Sequence, residues 1–586
     1  MSQSSASRLG TILVVGAFLA FCLVWWNRSL NPTIAGDLFH AMAYRHGLLP
    51  YRDFYFAVPP GMFLLGVGIP AVFGDHLIAF WAVGLTLRAL AVAVLYRWLR
   101  REFHFAVAGC AVLTGAIVSC GDITDSPYFY HHIALAFATL GAAALAAALE
   151  SRKTRRALAW AFAAGILLGL NALIKQTTGI FITAAVAGWA AVCLWRSGER
   201  SALLRLTGAG AAGFVLPWSM TLVWLLRAGV IGTFFDSVFI GGIRAKGTPL
   251  ATLLRPIIVT ASHADLREPA LLALAILGAA LLLRWRAAGA IARAAPFIAL
   301  AILACAAFAT LFGLLGPESR LLGLAACYLA LIGNLAVALR CLWRTPSRRT
   351  VQIGLLASLG FGSAYSMSIS WPAFEVMVFP GLPLLIALAF SASGSARHLA
   401  RQAVFAGCVA AVIAISAHKA VHPGGFGVWE EPPIATSDTP PALPQLAGFV
   451  LNRGTARFYD VTTSLIREHS RGDERIFTYP VMPVFYALAD RLPVTFALSH
   501  LLDVCPDPIA AADGARLLDS PPAVMVVQRL PEQFYLNSEA LFRAGHRSGQ
   551  REIQRALAVL GPRYRLVGTA TSPGNGVPID IWALKR

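Results

Sequence analysis

The chain has 586 residues, 57% of them hydrophobic and 13% charged, with a mean hydropathy of +0.67. A soluble protein is nearer one half apolar and one quarter charged, so this composition names lipid as the solvent. The net charge of +19 does not make a nucleic-acid binder, because Lys and Arg punctuate the apolar runs and gather on no single soluble face.

The first apolar run, Leu9 to Trp26, has Arg8 before it and no small-residue cleavage pattern after it, which reads as an uncleaved signal anchor. Further spans are predicted near 77–96, 105–119, 132–149, 158–174, 179–195, 206–226, 269–283, 296–315, 321–339, 351–367, 377–391 and 403–418, about thirteen in all. Each can cross roughly 30 Å of hydrocarbon at about 1.5 Å per residue, some with tilt or partners.

The linkers alternate in charge. Arg97/Arg100/Arg101, the 150–156 segment, Arg196/Arg200/Arg205, Arg284/Arg286/Arg293, the 340–349 segment and Arg397/Arg401 form a short, basic, acid-poor set. That asymmetry places them, with the N-terminus, in the cytoplasm, and an odd number of spans then puts the C-terminus outside the inner membrane. The opposite loops hold the chemistry. After a Pro/Gly-rich stretch at 421–444, residues 445–586 lack membrane-length runs. Helical patterns near 456–469 and 551–559 alternate there with β-rich runs at 475–479, 523–527, 564–570 and 579–584, as in a small extracytoplasmic α/β domain. The division is therefore a membrane module over 1–420, a linker, and that domain. The nine cysteines stand singly, without metal-type spacing. Only Cys505 lies beyond residue 445, so that region closes no disulfide of its own.

The loop after the first helix is the richest. Residues 36–46 have helical spacing that puts Asp37, His40 and Tyr44 on one face. Tyr51, Arg52 and Asp53 follow, and Pro59-Pro60-Gly61 stops any helix. An acid shortly after the first helix, then the 47–54 motif (Gly47, Pro50, Tyr51, Arg52, Asp53, Phe54) and Pro-Pro-Gly, resembles the bacterial polytopic glycosyltransferases of the GT-C fold. It is most similar to the branch related to protein O-mannosyltransferases and to aminoarabinose and lipopolysaccharide-core sugar transferases, glycosyltransferase family 39 in type. The resemblance implies an all-α polytopic membrane protein with a C-terminal extracytoplasmic domain. It implies transfer of a sugar from a polyprenyl-phosphate donor to an envelope acceptor, with inversion at the anomeric carbon. The acceptor classes are a glycolipid, a polysaccharide or a protein. Asp37 is the position that matches the family's general base. The residue after it is Leu38, where the family often has a second acid.

Each residue also has a plainer reading. Asp37 could cap a helix starting at residue 38. Arg52 and Asp53 read first as an ion pair fixing a turn, and second as a phosphate contact from Arg52. The second such loop, residues 121–132, carries Asp122, Asp125, Tyr128, Tyr130, His131 and His132. It lines a site in one reading, with Asp122 and Asp125 as ligands of a divalent metal, and is an interfacial aromatic belt in the other. No cofactor is required by the sequence. Lys175, at the end of the fifth span, either snorkels or meets a lipid phosphate. Arg244 and Lys246 sit among glycines, and Arg320 follows Glu318 at the opening of a span; Lys175 and Arg244 are the favoured donor-phosphate ligands. A transporter or a flippase for lipid-linked sugars is the competing class. It predicts internal repeats and charges deep in broken helices, and neither pattern is visible. A purely structural anchor would not need so many helices.

Overall fold

The computed structural model describes residues 3–32, 36–121, 126–151, 153–241, scattered positions over 250–274, and 321–369, 375–391, 397–426 and 429–586. The order opens with α1 (Gln3–Leu23), α2 (Asp37–Arg45), α3 (Gly61–Phe73), α4 (Leu77–Leu99), α5 (Phe105–Val118), α6 (Tyr130–Glu150), α7 (Thr154–Ile174), α8 (Gln176–Arg196) and α9 (Arg200–Arg227). After the short α10 (Ile231–Phe235) come α11 (Leu321–Leu342), α12 (Arg348–Ser368), α13 (Gly381–Ser391) and α14 (Arg397–Val421).

Among the described residues, seven helices are long and apolar enough to cross a membrane, so this is a multi-pass membrane protein. The expected spans at 269–283 and 296–315 lie outside the described residues, save a few positions up to 274. Helix α12 occupies an expected span yet falls short in hydropathy, because Ser358, Ser363, Ser366 and Ser368 punctuate it. Those serines are buried, and Ser363, Ser366 and Ser368 return their hydroxyls to backbone carbonyls. Protein rather than lipid covers this helix.

One helix escaped the sequence reading. The 27–75 segment, read as a loop around one short helix, also contains α3. Pro60, with φ at −75°, directs the chain into it at Gly61. Thirteen residues are too few to register as a span.

Among the described residues, the two sets of loops separate to two ends of the bundle. At one end Glu150 accepts from Arg101 at 3.1 Å and from Arg348 at 3.0 Å, and Arg196 donates to the Leu342 carbonyl. The other end carries α2, α3 and the entries to α4, α6 and α8.

That second end is covered by the C-terminal part. Strands β1 (Gly425–Phe426) and β2 (Trp429–Glu430) pair, as do β3 (Ser437–Thr439) and β4 (Leu451–Asn452). Beyond them lie α15 (Arg453–His469), β5 (Ile476–Tyr479), α16 (Val484–Ala489), α17 (Asp507–Asp519), β6 (Val524–Gln528), α18 (Glu532–Arg543), α19 (Gln550–Leu560), β7 (Tyr564–Thr571) and β8 (Pro578–Leu584). The sheet runs β5-β6-β8-β7, parallel between β5 and β6 and antiparallel elsewhere. Strand alternation serves two cores. Phe477, Tyr479 and Met525 pack with Leu517, Tyr535 and Ile553 of the helices on one face. Ile476, Val524, Val526, Ile579 and Ile581 join a core that continues through Phe458 and Tyr486 into Phe39, Phe63, Phe80 and Trp81. The 421–444 stretch is not a bare tether, since Trp429 is buried against Phe458 with ring centres 4.7 Å apart.

Candidate active site at the covered end of the bundle

Helix α2 begins at Asp37 itself. Gly36 is the residue before it, no side chain caps the start, and the Asp37 carboxylate accepts no hydrogen bond among the described residues. The capping reading of Asp37 therefore does not hold. The residue keeps some exposure, but its carboxyl is enclosed densely enough for burial to push its pKa up to about 8. The phenol of Tyr128, fully buried and edge-on to Phe80 at 5.1 Å, is close enough to feel the charge of Asp37. That charge adds to burial in raising the Tyr128 pKa. The Tyr128 hydroxyl has no partner among the described residues. Gly84 of α4 makes this placement possible, because a β-carbon there would lie 2.4 Å from the Pro127 carbonyl oxygen.

His40 was expected on the same helical face as Asp37. It is boxed by aromatic rings, Phe56 at 5.3 Å and Phe63 at 5.8 Å, and by Gly66. Burial lowers its pKa to about 4, so the ring is neutral and lends Asp37 no positive charge. Tyr44 is exposed, and no hydrogen bond joins it to Asp37 among the described residues.

Arg52 and Asp53 form the turn-fixing pair. The guanidinium donates to Asp53 at 2.7 and 2.9 Å and to the Gly47 carbonyl at 3.0 Å, and Asp53 also accepts from the Leu49 amide at 2.7 Å. Tyr51, in the left-handed region at φ 70°, donates its hydroxyl to the Val58 carbonyl at 2.7 Å. Arg52 is thereby turned back onto its own loop.

Lys175 is a buried cation at this end. It breaks α7 from α8 in a single extended residue, with φ −148° and ψ 119°. The side chain does not snorkel; it is 5% exposed. Its ammonium meets His131 Nε2, lies 3.7 Å from Met367 Sδ and stands 5.2 Å over the Tyr130 ring. Next to it Gln176 donates to the carbonyls of Ala57 and Val238 at 3.2 and 3.0 Å, tying the first loop to this junction. His132, adjacent to His131, turns instead to Arg88 of α4 at 3.3 Å.

Arg88 was not singled out by the sequence reading. A lone Arg inside the apolar run 77–96 was the signal available. Asp122, Asp125, Arg244, Lys246, Glu318 and Arg320 lie outside the described residues. Among the described residues no three of His, Cys, Asp or Glu come together as a metal site.

No family model matches the chain, and no curated protein matches it. It is similar to the solved structure of ArnT from Cupriavidus metallidurans bound to undecaprenyl phosphate, at 12% identity and a TM-score of 0.45, covering 99% of this chain and 98% of that one. The apo form of the same protein gives 13% identity and 0.45, with 96% and 97% covered. The oligosaccharyltransferase of Archaeoglobus fulgidus, tethered to an acceptor peptide, is similar at 14% identity and a TM-score of 0.38, with 98% of this chain and 74% of that one covered.

Proposed function

We propose that this protein is a membrane glycosyltransferase moving a sugar from a polyprenyl-phosphate donor to an acceptor hydroxyl at the outer face of the inner membrane, with inversion. The observation that carries the reading is Asp37: a part-exposed but densely enclosed carboxyl at the loop-rich end of the bundle, free of any capping duty and raised to about 8. A general base is best poised near the working pH, and a carboxyl without hydrogen bonds among its neighbours has room for the proton of an incoming hydroxyl. The acceptor oxygen attacks the anomeric carbon while Asp37 takes its proton. The carbon–oxygen bond to phosphate breaks, and the polyprenyl phosphate departs with the electron pair. Lys175, held by His131, Tyr130 and Met367, is assigned to that phosphate, where negative charge grows. Arg244 remains the second candidate for the phosphate, and Asp122 with Asp125 remain the candidates for a divalent metal. Arg52 fixes the turn and is not assigned to the phosphate.

The test is conversion of a polyprenyl-phosphate sugar to polyprenyl phosphate by purified protein, with Asp37→Asn as control. Turnover lost in Asp37→Asn supports the reading. Protein that moves the intact lipid-linked sugar across vesicles without releasing polyprenyl phosphate belongs to the flippase class instead.

A further inference from the structure

Arg88 carries a charge that the machinery just described does not use. It stands in the middle of the apolar α4, half-buried, between Ser119 just beyond α5 and His132 in the first turn of α6. Its Nη2 donates to Ser119 Oγ at 3.0 Å and to Cys120 Sγ at 3.1 Å, and its Nη1 lies 3.3 Å from His132 Nε2. A guanidinium only donates, so His132 accepts through Nε2 and keeps its ring proton on Nδ1. Ser119 passes its own proton to the Ala116 carbonyl at 2.7 Å. The groups around the guanidinium therefore accept from it, yet none of them is an anion.

No carboxylate meets Arg88 among the described residues. The Phe18 ring, 5.6 Å from the guanidinium carbon, offers only a weak cation–π attraction. A charge at membrane depth without a counter-ion is costly, and such a residue marks the place of a partner. Three of its five N–H donors are engaged, which leaves two for that partner.

The space beside it says what kind of partner fits. A cavity of about 10 Å³ is lined by Arg88, Ser119 and His132 and otherwise by apolar side chains such as Phe18, Val376 and Phe379. That volume takes one particle the size of a water. A phosphate or a carboxylate, with several heavy atoms, is too large. A water would have two protons to place, and the side-chain acceptors of the lining, Ser119 Oγ and His132 Nε2, already face Arg88. A monatomic anion has only its charge to satisfy.

We propose that Arg88, Ser119 and His132 form a site for a single halide ion, chloride under ordinary conditions, which neutralises the guanidinium inside the bundle. Ser119 and His132 bracket the stretch that brings Tyr128 towards Asp37, so the bound ion braces both ends of that stretch. The site stands apart from the sugar-transfer reading and keeps its meaning if that reading fails.

The experiment uses the purified full-length protein in detergent, with sodium gluconate as the starting salt. Thermal unfolding is followed as chloride or bromide replaces gluconate at constant ionic strength. The expected result is an unfolding temperature that rises and then saturates with either halide, as for a ligand that binds the folded state alone. Arg88→Gln keeps a polar side chain and removes the charge, so its unfolding temperature should not respond to halide. A response that never saturates is a general salt effect, and one that survives in Arg88→Gln belongs to another place; either overturns the proposal. Should Arg88→Gln fail to fold, crystals of the native protein grown in bromide give the second readout. An anomalous scattering peak within hydrogen-bond reach of the Arg88 nitrogens is expected there. Density without anomalous signal at that position is a water and overturns the proposal, as does featureless space.

Discussion

Asp37 fixes the sign of the pH dependence. As the base it acts only when deprotonated, so with a pKa of about 8 in the free enzyme, kcat/KM should climb about tenfold per pH unit below that value and level off above it. A pH-independent rate between 6 and 9 would remove Asp37 from the role. Stability should run the other way. A carboxyl whose folded pKa is raised makes the folded state hold the proton more tightly than the unfolded chain does. Its contribution is therefore greatest below the ordinary value near 4 and is lost as pH rises towards about 8. Asp37→Asn keeps the size and loses both the titration and the base. Its turnover should fall by about two to four orders of magnitude, while its melting temperature should decline less than the native protein's between pH 5 and 8. Lys175→Ala, by contrast, should raise the KM for donor more than it lowers kcat at saturation, since Lys175 binds a charge and takes no proton. Steady-state kinetics on a defined polyprenyl-phosphate sugar separates the two patterns.

At the level of elements, the patterns that were readable are those carried by the local residues themselves. The short helix at 36–46 shows as α2, and the β-rich runs 475–479, 523–527, 564–570 and 579–584 show as strands of one sheet. What stayed hidden depends on contacts between distant segments. Helix α3 is short and apolar all round, His40 carries no sign in sequence that rings will enclose it, and Arg88 finds its partners on α5 and α6. Gly84 belongs with these. Nothing in a run of apolar residues marks it, yet it is where the Pro127 carbonyl meets α4. A methyl there meets backbone, which cannot swing aside as a flexible side chain can. Gly84→Ala should cost about 1–3 kcal/mol and move Tyr128 away from Asp37. The check is thermal unfolding in detergent beside the rate: unchanged stability and unchanged turnover together would mean that the 126–128 segment does not lean on α4.

For the whole molecule, orientation and the C-terminal cover decide how the site is used. The described basic linkers gather at one end, so alkaline phosphatase fused after Arg586 should be active, and a reporter inserted within 150–156 should behave as cytoplasmic; the reverse would invert every site assignment. The C-terminal part is built into the site end rather than hung from it. Tyr459 donates to the Leu30 carbonyl at 2.8 Å, the Val450 amide to that of Asn27 at 2.9 Å, and the Tyr55 amide to that of Phe496 at 2.7 Å. Trp81 meets Phe449 with ring centres 4.8 Å apart, and Phe39, two residues from Asp37, meets Tyr486 at 5.9 Å. Removing 445–586 would expose those rings and leave the Asp37 helix without a roof, so the truncated chain should lose turnover on every acceptor as well as thermal stability. The subtler variant is Tyr486→Ala, which opens a gap beneath α2 and leaves every hydrogen bond between the 27–55 segment and the C-terminal part in place. A buried aromatic truncated to Ala costs about 3–5 kcal/mol, and here the gap lies against the helix that aims the base. Turnover should therefore fall more than donor affinity does. A Tyr486→Ala protein with native turnover but altered choice among acceptors would instead make the C-terminal part a selector that leaves the base undisturbed.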